Sequence, residues 1–304
     1  MTRTDGKSLA TGGVPTPSGF AAIVALAVIW GLSIPLTKLG LDSLPPMTLT
    51  ALRFATALPP LLLLSMRSRL PMRALPRVAL LGVIGISIGQ VAQTLGIEGT
   101  SASVGAILSA TIPVFVVVFA ALRLRQRVTP RHMLGLLGAF AGIALVASGA
   151  GDGAVAAAET SIEGIAWMLV SSIAIAFYYV WSVELARDYG TPAVAAWSTL
   201  FGLIALSPWA VAEMSRAPIH PTVEGVAVAA YLGVFVTAAG LYLWLHLLRT
   251  VAAVVATSVQ YLHPIIGIVV GSAMFGDRLG LFFALGVVLI LVGLGLVVAP
   301  GRRN

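Results

Sequence analysis

Apolar runs of about twenty residues recur along this chain, and they decide what it can fold into. Crossing the hydrocarbon layer of a bilayer as a helix takes about 20 such residues. Runs of this kind lie near 20–39, 46–66, 76–96, 101–122, 131–149, 163–184, 192–212, 224–246, 251–274 and 279–299. In lipid the backbone must satisfy its own hydrogen bonds, so spans are helices or closed barrels. Barrel strands alternate apolar and polar residues over about ten positions; these runs are twice as long and do not alternate. Composition agrees. Of 304 residues, 59% are hydrophobic and 10% charged, and mean hydropathy is +1.01. Soluble domains carry about 25% charged residues.

The expected fold is an all-α membrane protein with ten transmembrane helices arranged as two inverted five-helix repeats. Residues 1–18 form a polar N-terminal tail, 19–149 the first repeat, 150–162 a linker and 163–300 the second repeat. The run from Phe20 to Leu39 is too long for a signal-peptide core, so it is read as the first retained helix. Lys and Arg set the orientation. With the N-terminus cytoplasmic, the inner segments hold Arg3, Lys7, Arg67, Arg69, Arg73, Arg77, Arg123, Arg125, Arg127, Arg131, Arg187, Arg249, Arg302 and Arg303, leaving Lys38, Arg216 and Arg278 outside. Both termini are therefore expected in the cytoplasm. The net charge of +7 is read as this topology signal, not as a nucleic-acid surface.

The repeat shows as a fixed offset. Gly89 and Gly142 recur 151 residues later as Gly240 and Gly293, and Ala102, Pro113, Arg127 and Gly135 as Ala253, Pro264, Arg278 and Gly286. Five spans are an odd number, so the second half enters the membrane from the opposite side. Inverted repeats are a recurring transporter architecture, with the substrate near the midplane between the halves.

Several residues, Ser33 on the first span among them, are candidates for substrate binding or gating. Ionisable groups within a span are costly and usually face a cavity or a partner. Arg53, two turns into the second span, reads either as a substrate-carboxylate or gate contact, or as an anchor paired with Asp42 or with a helix terminus near the outer surface. Lys38 closes the first span and reads as a gate or as an interfacial residue. Gln90, Gln93 and Thr94 share one helix face, as a cavity wall or as interhelical hydrogen bonds. Trp30, Tyr178, Tyr179, Trp181 and Tyr242 are aromatic residues inside spans, suited either to an amphipathic pocket or to packing. Gln260, Tyr261 and His263 precede Pro264. That proline and its counterpart Pro113 are expected to kink their helices, since proline removes a backbone donor. Gly85–Gly89, Gly138–Gly142 and Gly267–Gly271 have the small-xxx-small spacing that lets helices approach closely.

Trp30-Gly31 with Pro35 and Lys38, Arg53-Phe54, Pro113 before Arg125-Gln126-Arg127, Pro264 before Gly276-Asp277-Arg278-Leu279, and the closing glycine-rich helices together resemble the EamA branch of the drug/metabolite transporter superfamily. The resemblance spans nearly everything after residue 18. Gln126 and Asp277 stand where that family usually has Glu. It implies a ten-helix permease of small metabolites in a bacterial inner membrane, with amino-acid exporters among its bacterial members. A drug or nucleotide-sugar carrier is the near alternative.

An intramembrane enzyme is the distant alternative. It would rest on Ser33 in Gly31-Leu32-Ser33 as nucleophile and His263 as base. No G-x-x-x-x-G-K-[ST] or H-E-x-x-H motif occurs. The absence of cysteine excludes disulfides and Cys-ligated metals. No cofactor and no metal is expected. The expected partners are a small-molecule substrate and the bilayer, with no nucleic acid. The oligomeric state is left open, a monomer included.

Overall fold

A computed structural model describes residues 17–68, 70–124, 129–148, 160–216, 221–244, 259–277 and 279–298. Among these the regular structure is helical, with no strand. The helices are α1 (Gly19–Leu41), α2 (Pro46–Ser65), α3 (Met72–Glu98) and α4 (Ala102–Arg123), then α5 (Pro130–Ser148), α6 (Ile162–Tyr189) and α7 (Thr191–Arg216). They continue as α8 (Val223–Trp244), α9 (Val259–Phe275) and α10 (Leu281–Val298). Seven of them, α1–α4 and α6–α8, are long and apolar enough to cross a membrane, while α5, α9 and α10 hold shorter apolar stretches. Residues 251–258, the start of the expected ninth span, and the turn Arg125-Gln126-Arg127 lie outside the described residues, as does Arg278. Large apolar side chains such as Leu63, Leu134, Leu137, Trp209 and Val288 are exposed. Water would penalise that surface and lipid does not. The chain is a multi-span membrane protein.

The helices pair in a pattern that survives exchange of each helix with the one five places on. α5 packs on α10, α2 on α7 and α4 on α9. α3 packs on α6 and α7, as α8 packs on α1 and α2, and α6 lies against α4 as α1 lies against α9. Glycines make the closest of these crossings. A Cβ on Gly142 would come 2.7 Å from the Gly286 carbonyl, and one on Gly293 would meet the Gly135 carbonyl. The 151-residue offset turns one of these contacts into the other. The spacing expectations hold elsewhere too. Gly85 lies under Tyr178, Gly89 under Ala174 and Ile175, and Gly267 and Gly271 against Ala106 and Ala102.

Several helices depart from regular α geometry. α1 is interrupted at Leu32, between Pro17–Gly31 and Ser33–Leu41, where Pro35 offers no N–H to the Gly31 carbonyl. α4 is interrupted between Ser109 and Ile112, just before Pro113. The hydroxyls of Ser109 and Thr111 turn back to the carbonyls of Ala106 and Leu108, each at 2.7 Å. Pro264, by contrast, sits inside a continuous stretch of α9. α3 and α8 each contain a π-helical segment, Gly82–Ile88 and Leu232–Ala239. At the 151-residue offset the first falls on 233–239. Such segments are rare and concentrate at functional sites.

Candidate functional site

Opposite ends of the helices carry opposite charge. One end gathers Asp42, Glu98, Glu163, Glu213, Glu224 and Asp277, and side chains tie its helix termini together. Helix ends leave unpaired backbone groups that need partners. Lys38 Nζ donates to the carbonyls of Ile97 (3.2 Å), Glu98 (3.0 Å) and Thr100 (2.8 Å) at the end of α3. Glu213 of α7 accepts from the backbone N–H of Met47 (3.3 Å) and Thr48 (2.7 Å) and from the Thr48 hydroxyl (2.8 Å), at the start of α2. Asp277, buried, accepts from Ser103 N–H at 2.9 Å at the start of α4. Lys38 is thus committed to a helix end. Opposite charges at these termini also match the helix dipoles. The other end carries Arg67, Arg73, Arg77, Arg123, Arg131 and Arg187. There Arg123 pairs with Glu184 at 2.9 Å, both side chains more than two-fifths exposed.

Moving inward from the tied end, Thr50 of α2 and Thr94 of α3 share a buried hydrogen bond of 2.9 Å. The two helices run antiparallel here. One turn deeper on α2 is therefore Arg53, and one turn deeper on α3 is Gln90. Arg53 lies seven residues from the start of α2, about 10 Å along its axis, and is half-buried. Its Nε donates to Thr237 Oγ1 of α8 at 3.2 Å, and its guanidinium lies 5.6 Å from the Phe54 ring centre. Tyr179 of α6 is within electrostatic reach of it. No carboxylate among the described residues pairs with Arg53, and its Nη atoms hold no hydrogen bond there. Asp42 is not its partner.

Gln90 Oε1 is buried without a hydrogen-bond partner among the described residues, and neither the Gln90 nor the Gln93 amide donates to any of them. Trp30 Nε1 donates to the Val236 carbonyl within the α8 π segment at 3.2 Å. Tyr179 is 46% exposed. Arg53 and Thr237 meet where α2 faces α8, Trp30 of α1 bonds into the same α8 segment, and Gln90 lies one turn along α3 from the Thr50–Thr94 bond.

Other candidates go elsewhere. Tyr178 bonds to Ser198 Oγ of α7 at 3.1 Å and covers Gly85. Trp181 stacks on Phe177 with ring centres 4.3 Å apart and meets Phe119 edge-on at 5.5 Å, as core packing does. Tyr242 is 58% exposed and shows no polar partner among the described residues. His263 places Nδ1 3.4 Å from its own helix carbonyl, Val259, beside Gly31. The side chains of Gln260 and Tyr261 lie outside the described residues. Ser33 donates to the Trp30 carbonyl at 2.6 Å and makes no bond to His263, so the nucleophile–base pair an enzyme would need is not assembled.

Thr237 escaped the sequence reading, as did both π segments. Thr237 Oγ1 donates to the carbonyl of Leu232, five residues back, at 3.0 Å. That carbonyl belongs to the π segment, whose wider turn breaks the regular i to i−4 ladder. A lone Thr in an apolar run, three residues before the repeat-related Gly240, was the available signal.

Fold and site define a helical membrane protein with duplicated packing and an unpaired cation partway through its spans. The EamA-like transporter family matches the chain twice, over residues 17–148 and 162–299, and this chain belongs to that family. It is 27% identical over 278 residues to an "Uncharacterized transporter" of Archaeoglobus fulgidus, covering 91% of this chain and 97% of the relative. It is 26% identical over 296 residues to the "Uncharacterized inner membrane transporter YedA" of Escherichia coli (strain K12), covering 93% of each. With a "Probable terminal-alkyne amino-acid exporter" of Streptantibioticus cattleyicolor it shares 29% identity over 267 residues, 84% of this chain and 85% of the relative. A crystal structure 18% identical in sequence superposes with a TM-score of 0.63 over 94% of this chain and 99% of that one, a likeness of fold.

Proposed function

We propose that this protein is a secondary transporter that exports small amphipathic metabolites, amino acids above all, by alternating access between two inverted five-helix repeats. The single observation that carries the reading is Arg53. It is a half-buried guanidinium about 10 Å inside a span with no carboxylate partner among the described residues. A charge in that position is costly unless something completes it, and a substrate carboxylate has the right sign and geometry. The exchange symmetry of the helix pairing supports the inverted repeat, and the name of the Streptantibioticus cattleyicolor relative supports amino acids as cargo.

In this reading Arg53, Gln90, Gln93, Tyr179 and Trp30 contact substrate, and Thr237 holds Arg53. Lys38, Glu213 and Asp277 bind the outer ends of the helices together. The arginine-rich end and both termini face the cytoplasm of a bacterial inner membrane, as the positive-inside rule requires. Alternating access would loosen the tied end while the other closes. A nucleotide-sugar carrier fits less well, since two phosphates call for more fixed positive charge than one arginine. Ser33 and His263, each bonded to its own helix and not to the other, weigh against an intramembrane enzyme.

Purified protein in liposomes preloaded with each of the twenty amino acids in turn tests the reading. At least one is expected to drive saturable counterflow of its labelled form. No counterflow with any of them would remove amino acids as cargo.

A further inference from the structure

The charged group left without an ion pair at the centre, among the described residues, is a donor, Arg53, while the glutamine amides beside it bring acceptors as well as donors, the buried Gln90 Oε1 among them. Arg53 keeps both Nη nitrogens, with four N–H bonds in a fixed fork, after giving Nε to Thr237. The Gln90 amide, opposite it one turn below the Thr50–Thr94 bond, adds Nε2 with two more N–H bonds and no protein acceptor among the described residues. No carboxylate that could hold an ammonium group stands in the same region among the described residues. Every Asp and Glu among the described residues lies at or near a helix end, where Glu213, Asp277 and Glu184 already have partners.

A fork of N–H donors on a planar cation matches a carboxylate, with two parallel bonds. A phosphate carries more charge than one arginine neutralises. A cationic amine meets donors of its own kind and is repelled by the guanidinium.

We infer that Arg53 and Gln90 form a carboxylate-reading subsite, so that the protein selects its substrate by the acid group and not by the amine. This rests on the reading of the chain as a carrier of amino acids. It goes further by making the amine dispensable and the acid essential. Thr237 is a positioning residue: it fixes the guanidinium through Nε and leaves both Nη atoms free for the ligand.

The test uses the amino acid that gives the largest counterflow among the twenty. Inhibition of its counterflow is measured with four derivatives: the N-acetyl acid, the methyl ester, the decarboxylated amine and the aminophosphonate. The N-acetyl acid is expected to inhibit within about threefold of the parent. The ester and the amine should be weaker by about ten- to a hundredfold, the range for losing a charge-assisted hydrogen bond. The aminophosphonate should fall between them. Gln90→Leu and Arg53→Lys should each raise KM for the acid several-fold while leaving the weak inhibition by the ester unchanged. A purely structural role for either residue would weaken acid and ester together. Ester or amine inhibiting as well as the acid, or variants that affect acid and ester alike, overturns the inference and leaves the carrier reading standing. Absence of counterflow by all twenty amino acids overturns both.

Discussion

Helices α3 and α8 are built on one plan and used differently. Each carries a π segment at nearly the same place, Gly82–Ile88 and Leu232–Ala239, and each has a glycine at its first or second residue pressed on a neighbour. A Cβ on Gly82 would meet the Ser198 carbonyl and come 3.0 Å from the Gly202 nitrogen on α7, while one on Gly233 would meet the Arg53 carbonyl and come 2.9 Å from the Ala57 nitrogen on α2. The side chains beyond are not matched. Gln90 and Gln93 follow the first segment; 151 residues on stand Leu241 and Trp244. Thr237 within the second segment corresponds to Ile86 in the first. Close helix crossings constrain backbone and small residues, so they persist in both copies. A substrate has no two-fold symmetry, so polar groups that read one need not repeat, and these side chains do not.

The matched glycines give the largest expected effects. Gly82→Val and Gly233→Val should each keep folded protein from accumulating in the membrane. Gly82→Ala and Gly233→Ala should each cost about 1–3 kcal/mol, the usual range for overpacking, read as a fall in the melting temperature of purified protein. Comparable losses sharpen the pairing; tolerance at one site alone would break it. The mismatched residues come next. Thr237→Val removes the bond to Arg53 and should raise KM about two- to tenfold with melting temperature little changed. Ile86→Thr, at the matched position, should leave KM alone. Equal transport effects from both would mean that the halves share the binding chemistry after all.

The two ends of the bundle give the smallest effects. Lys38→Met leaves three carbonyls, at the end of α3 and in the turn after it, without their cation and should cost about 1–2 kcal/mol. Arg123→Ala breaks an exposed pair and should stay within about 1 kcal/mol. Melting temperatures of the two variants measure the difference, and a larger loss for Arg123→Ala would reverse the assignment of which end is tied.

The long apolar runs and their glycine spacings made the helices and their close crossings legible, because hydropathy and small residues act over a whole span. Arg53 stood out for the same reason, a charge where lipid forbids one. What the sequence could not show were contacts set by packing between distant segments. Thr237 reaches Arg53 across 184 residues and Glu213 reaches Thr48 across 165, and no local pattern announces either. Lys38 looked interfacial; its exchange of water for three helix-end carbonyls follows from where α1 meets α3. Trp181 sat at the right depth for a pocket, yet lies on α6 against Phe177 and Phe119, where packing claims it. Both π segments lay hidden because their sequences read as ordinary apolar helix.

The most direct test of Arg53 as the centre of a carrier is counterflow in liposomes holding equal amounts of folded parent protein or Arg53→Gln. The expected result is saturable amino-acid counterflow by the parent and a loss of at least about tenfold in the variant, with melting temperature retained. Undiminished counterflow by Arg53→Gln would contradict it.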